Sequence, residues 1–157
     1  MKFEFGHFEK SFLNADLLPG NKRPCYWLRE PLVWFDTDGD PHSVPDGFVS
    51  DSYSYPDLVK SNVRGIKSHL PAFLHDFQIR LHECGFRLAN RNLGLATAAT
   101  KGSKYSAFKF SYVLNVAGLP RWWETGRDLK ALGYDAVHTK YITDDRARAL
   151  EIAMEDI

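Results

Sequence analysis

The residues best suited to chemistry are an adjacent histidine and aspartate, His75 and Asp76, in an otherwise apolar segment at residues 70–80. Pro71 fits the first turn of a helix, and apolar side chains on most of the circumference are typical of an internal helix. A charge inside a protein must be paired, hydrogen-bonded or bound to a metal, because desolvating it alone costs several kcal/mol. The pair is therefore a candidate for catalysis. The alternative is that Asp76 caps a neighbouring loop and His75 is a hydrogen-bonded core histidine.

A third candidate, Asp51, lies in a stretch rich in hydroxyl side chains at residues 44–56, where glycine and proline restrict the backbone. Asp51, His75 and Asp76 together supply one imidazole and two carboxylates. This ligand set suits a divalent cation such as zinc, manganese or magnesium that keeps water in its open positions. Such a cation lowers the pKa of its bound water and so provides a nucleophile, which makes a metal-assisted hydrolase the leading interpretation.

The first third of the chain predicts short strands. Alternating polar and apolar residues begin the chain, and residues 25–35 are rich in β-forming side chains around Pro31, which indicates an edge, a bulge or a junction between two strands. Asp-Gly and Asp-Pro turn signals at residues 36–41 predict a hairpin that closes with residues 42–50. A further cluster at residues 17–21 predicts a turn.

The rest of the chain predicts helices, at residues 70–84, 86–100, 105–116 and 143–154, the first three ending near glycines 85, 102 and 118. Strands that precede helices favour an α+β fold, with a small N-terminal antiparallel sheet followed by a cluster of three to four helices. The length of 157 residues predicts a single domain over residues 1–157.

Composition narrows the classes of partner. Twenty basic residues balance twenty acidic ones, so we expect no binding to nucleic acid or to an anionic membrane. We expect no membrane span or secretory signal either, because the N-terminus lacks a continuous apolar region and no stretch approaches the ~18 apolar residues that a membrane helix needs. Cys25 and Cys84 are far apart in the sequence and lack zinc-ligand spacing, which favours reduced thiols in a cytoplasm.

These motifs resemble a family of phage and prophage proteins, domain of unknown function 1353. The hallmark of that family, Val-Pro-x-Gly-Phe-x-Thr-Asp-x-x-Ser-x-Pro, stands here as residues 44–56, with Ser50 keeping the hydroxyl of the usual threonine. A second block, Ala-x-x-His-Asp-x-x-Tyr, stands as residues 72–79, with Ile79 where an aromatic hydroxyl is usual. A third block, Arg-x-x-Ala/Ser-Asp, is similar to residues 87–90 when one residue of slack is allowed.

The resemblance covers about residues 25–120 and makes residues 121–157 a C-terminal helical extension. It implies a protein of the bacterial host cytoplasm or of the virion, and it implies no particular reaction. It also adds Asn90 to the candidate metal shell, as a neutral oxygen donor where the family has aspartate. The alternative function is that of a non-enzymatic virion or tail-associated protein, in which the same residues form a buried structural network. The substrate, the other phage proteins that serve as partners, and the oligomeric state stay open.

Overall fold

The computed structural model describes residues 4–18, 25–50, 68–100, 104–120, 122–123 and 127. Asp51 and the helix predicted at residues 143–154 lie outside these described residues, as does most of the predicted extension. The domain boundaries therefore stay a prediction.

Strands come before helices in the described part of the chain. They are β1 (His7–Phe8), β2 (Ala15–Leu18), β3 (Cys25–Leu28), β4 (Leu32–Phe35), β5 (Pro41–Val44) and β6 (Val49–Ser50). They form two antiparallel three-stranded sheets, in the orders β1-β4-β5 and β2-β3-β6, where the sequence predicted one small sheet. Pro31 stands between β3 and β4 and separates the two sheets, and the predicted hairpin is β4–β5.

Three helices follow within the described residues: α1 (Leu70–Arg80), α2 (Phe86–Ala99) and α3 (Lys104–Ala117). The α+β prediction is thus confirmed. Helix α1 ends earlier than predicted, and His82 then adopts a left-handed backbone conformation with φ of 50°. Gly85 becomes the N-cap of α2, so it begins the second helix instead of ending the first. None of these helices is long and apolar enough to cross a membrane in the part of the chain described.

Helix α1 lies at the centre of the packing. It contacts β4, β5 and β6 on one side and α2 on the other, and α2 in turn packs on α3. The core forms where the inward positions of the strands meet this helix, and it includes Trp34, Val44, Phe48, Phe73 and Leu74, each no more than 1% exposed. Because both sides of α1 are covered, its polar side chains must find partners within the protein.

Candidate functional site

His75 belongs to a hydrogen-bonded chain that crosses all three helices. Its Nε2 lies 2.8 Å from Oδ1 of Asn90 on α2, and the Nδ2 of Asn90 donates to Oδ1 of Asn115 on α3 at 2.9 Å. The hydroxyl of Ser111, one turn before Asn115, donates to the backbone carbonyl of Asn90 at 2.6 Å. Asn90 is only 1% exposed, so these bonds replace the water that its amide would otherwise bind.

This arrangement determines which nitrogen of the neutral His75 ring carries the hydrogen. Asn90 presents its amide nitrogen to Asn115 and its oxygen to His75, so Nε2 of His75 carries the hydrogen and donates it. The lone pair of a neutral ring is then on Nδ1, the atom able to accept a proton or bind a metal. Burial lowers the pKa of His75 to about 4, although the hydrogen bond with Asn90 acts in the opposite direction. At neutral pH the ring is therefore uncharged.

Asp76 faces the sheet and is held by Ser50. The Ser50 hydroxyl, on the last residue of β6, donates to Oδ2 of Asp76. Ser50 is fully buried, and β6 is fixed in turn by antiparallel pairing with β3. One turn along α1, Nη1 of Arg80 lies 3.4 Å from the backbone carbonyl of Val49. Two side chains of α1 thus tie the helix to the end of β6.

The bond between Ser50 and Asp76 gives a first testable expectation. In a double-mutant cycle with Ser50→Ala and Asp76→Asn, we expect a coupling energy of about 1 to 2 kcal/mol, because a hydrogen bond to a carboxylate is stronger than one between neutral groups. The measurement is urea unfolding of the four proteins at pH 7. A control cycle combines Ser50→Ala with Ser111→Ala. The effects of these two changes should be additive, because Ser111 lies on α3 and bonds to Asn90. Additivity in the first cycle as well would mean that the two side chains do not interact.

The predicted site residues are thus divided between two sides of α1. Adjacent residues of a helix point about 100° apart, and here His75 contacts α2 while Asp76 contacts β6. Asn90 does lie beside His75, and its oxygen accepts the hydrogen bond from the imidazole. Asp51 follows Ser50 directly in the sequence but lies outside the described residues.

Two functional neighbours were missed from the sequence, Ser111 and Asn115. They stand four residues apart in α3, a spacing that places both on one face of a helix. This spacing of two polar side chains on one face is the sequence feature from which they could have been predicted. Asn115 accepts a hydrogen bond from the side-chain amide of Asn90, and Ser111 donates one to the backbone carbonyl of Asn90.

Two of the predicted metal ligands, His75 and Asp76, lie among the described residues. Among them, no group of three or more histidine, cysteine, aspartate or glutamate side chains lies close enough together to hold a metal ion. His75 offers a neutral imidazole, and Asp76 offers a carboxylate oriented by Ser50. A complete site of the predicted kind therefore requires Asp51 as a further ligand.

A comparison with protein-family models finds no match. Comparisons with curated proteins and with solved structures find no match either.

Proposed function

We propose that the chain is a phage or prophage protein that hydrolyses its substrate with the help of a divalent metal ion bound by Asp51, His75 and Asp76. The observation that supports this proposal is the fixed state of His75, which is neutral and carries its hydrogen on Nε2. Histidines that bind metals usually donate the other ring N–H to a protein acceptor, which sets the tautomer and the orientation of the ring. Asn90 provides such an acceptor at 2.8 Å.

In this proposal the residues of the chain have separate tasks. Asp51 and Asp76 supply negative charge, and the Ser50 hydroxyl orients the carboxylate of Asp76. His75 supplies a neutral nitrogen, and Asn90 acts as a positioning residue because both ends of its amide already hold hydrogen bonds. A bound zinc, manganese or magnesium ion would supply a water of lowered pKa as the nucleophile.

A second candidate function is that of a non-enzymatic virion or tail-associated protein. It is favoured by the hydrogen bonds from His75 through Asn90 to Asn115, which pair both ends of the buried Asn90 amide without a ligand. A buried hydrogen-bonded network favours one arrangement of the helices over others. The protein would then work in the virion, whereas the hydrolase would work in the cytoplasm of the host.

Metal content separates the two functions. We expect the purified protein, after incubation with zinc or manganese and desalting, to retain one equivalent of metal by elemental analysis. Asp51→Ala should lose it, because the remaining imidazole and carboxylate bind a cation far more weakly than three ligands do. Asp46→Ala is a matched control, since Asp46 is an exposed carboxylate in the turn before β6. A folded wild-type protein that retains no metal would contradict the hydrolase proposal and leave the structural one.

A further inference from the structure

His42 lies in a cluster of charged groups that includes neither His75 nor Asp76. It stands on β5 and is 7% exposed. Its Nδ1 lies 3.2 and 3.3 Å from the two carboxylate oxygens of Glu83, in the segment between α1 and α2. Its Nε2 lies 3.5 Å from Oδ2 of Asp36, where β4 ends and the hairpin turn begins. Each ring nitrogen of His42 therefore faces a carboxylate.

Both carboxylates are held in place by other donors. Oδ1 of Asp36 accepts the backbone N–H groups of Asp38 and Asp40 at 2.8 and 2.9 Å. The side-chain amide of Gln78, on α1, donates to Oε2 of Glu83 at 3.1 Å. These hydrogen bonds orient the two carboxylates beside His42.

The other groups that face His42 in the described residues are uncharged. Trp34 on β4 has its ring centroid 5.5 Å from that of His42, and Nε2 of Gln78 lies 3.3 Å from Nδ1. Gln78 in turn accepts a hydrogen bond of 3.5 Å from Asn92 on α2. The titratable partners of His42 are therefore Asp36 and Glu83, one on the hairpin and one between the helices.

A neutral imidazole has one N–H group and can donate to only one of two carboxylates, whereas an imidazolium ion donates to both. We propose that His42 is a pH-sensitive link between the β4–β5 hairpin and the helices, joining Asp36 to Glu83 when protonated and releasing one of them when neutral. Deprotonation also leaves two partly buried carboxylates without the cation between them, which disfavours an arrangement in which both stay beside the ring.

The electrostatics of the cluster agree with this geometry. Burial acts to lower the pKa of His42, but the hydrogen bonds and charges of Glu83 and Asp36 outweigh it and raise the pKa above the ordinary value. Burial acts to raise the pKa of Asp36, but the N–H groups of Asp40 and Asp38 and the ring of His42 lower it. A histidine with a raised pKa stabilises the folded state fully below its unfolded value near 6.5, and this stabilisation is lost as the pH rises through the folded value.

The test is thermal unfolding of the full chain between pH 6.5 and 9, together with NMR titration of the His42 ring. We expect the wild-type melting temperature to fall by about 2 to 4 °C as His42 deprotonates, which corresponds to roughly 1 kcal/mol at this chain length. Glu83→Gln removes one carboxylate but keeps a side chain that can bond to Gln78. This variant should show a smaller fall and a lower titration midpoint for His42. Asp46→Asn, which removes an exposed carboxylate, should behave like the wild type.

The proposal is overturned by a His42 midpoint at or below 6.5, or by the same fall of melting temperature in Glu83→Gln as in the wild type. If Glu83→Gln does not fold, Asp36→Asn provides the same comparison from the other side of the ring. The loss of one histidine signal in His42→Gln assigns the titration to this residue. None of these measurements involves the proposed metal site, so their outcome is independent of the hydrolase proposal.

Discussion

Acidification from pH 7 to pH 4 is expected to lower the free energy of unfolding by about 3 kcal/mol through His75 alone. Burial lowers the pKa of this ring to about 4 in the folded protein, whereas an unfolded histidine titrates near 6.5. Between these two values the unfolded chain binds a proton that the folded chain does not. The contribution of His75 is therefore fully present above pH 6.5 and is lost as the pH falls towards 4.

The measurement is urea unfolding at several pH values for the wild type and for His75→Gln. Glutamine can still donate a hydrogen bond towards Asn90 but cannot take up a proton, so the variant should lose much less stability between pH 6.5 and 4.5. His69→Gln is the matched control, because His69 is exposed just before α1. The control should keep the pH dependence of the wild type. Parallel curves for the wild type and His75→Gln would show that His75 is not a buried neutral ring.

The location of His75 on an internal helix could be predicted from the sequence, but its partners could not. An apolar segment around a histidine and an aspartate predicts an internal helix, and α1 lies between the sheets and α2 as expected. The contact with Asn115 joins α1 to α3 through α2, and such a contact depends on how three helices pack. No local pattern specifies that packing. The resemblance to the phage family drew attention to Asn90 as a metal ligand, whereas the structure shows its oxygen accepting a bond from His75.

The strands show the same division between local and distant signals. The β4–β5 hairpin follows from Asp-Gly and Asp-Pro turn residues that are close in sequence. β1 pairs with β4, which is distant in sequence, and this pairing places β1 in a sheet with β4 and β5, separate from the sheet of β2, β3 and β6. No local sequence pattern specifies such a pairing, so the division into two sheets was not predicted. The turn predicted at residues 17–21 was wrong at its first two positions, because Leu17 and Leu18 pair with Tyr26 and Cys25 in β2 and β3. Tertiary pairing overrode the local turn preference there.

Replacement of Asn90 by aspartate distinguishes the hydrolase from the structural protein. The new carboxylate can still accept the hydrogen bond from His75, but it has no N–H group to give to Asn115. A carboxylate at a position 1% exposed also has a large desolvation cost. In the absence of metal we therefore expect Asn90→Asp to lose about 1 to 3 kcal/mol of stability, as for a buried group left partly unsatisfied.

Added metal should change this result if Asp51, His75 and Asp76 bind a cation. A carboxylate that accepts the N–H of a metal-binding histidine makes the imidazole more basic, and such outer partners alter metal affinity by about 10- to 100-fold. Zinc or manganese should then raise the melting temperature of Asn90→Asp by more than it raises that of the wild type. Titration of the metal-free proteins with either ion should give the tighter dissociation constant for the variant.

Asn92→Asp is the matched control for this experiment, because Asn92 is equally buried on the same helix but bonds to Gln78 instead of His75. It should lose stability without metal and recover none of it when metal is added. A loss of melting temperature in Asn90→Asp that metal does not reverse would favour the structural protein over the hydrolase. If Asn90→Asp changes nothing under either condition, Asn90 is not coupled to His75, and the hydrogen-bonded chain across the three helices does not exist in solution.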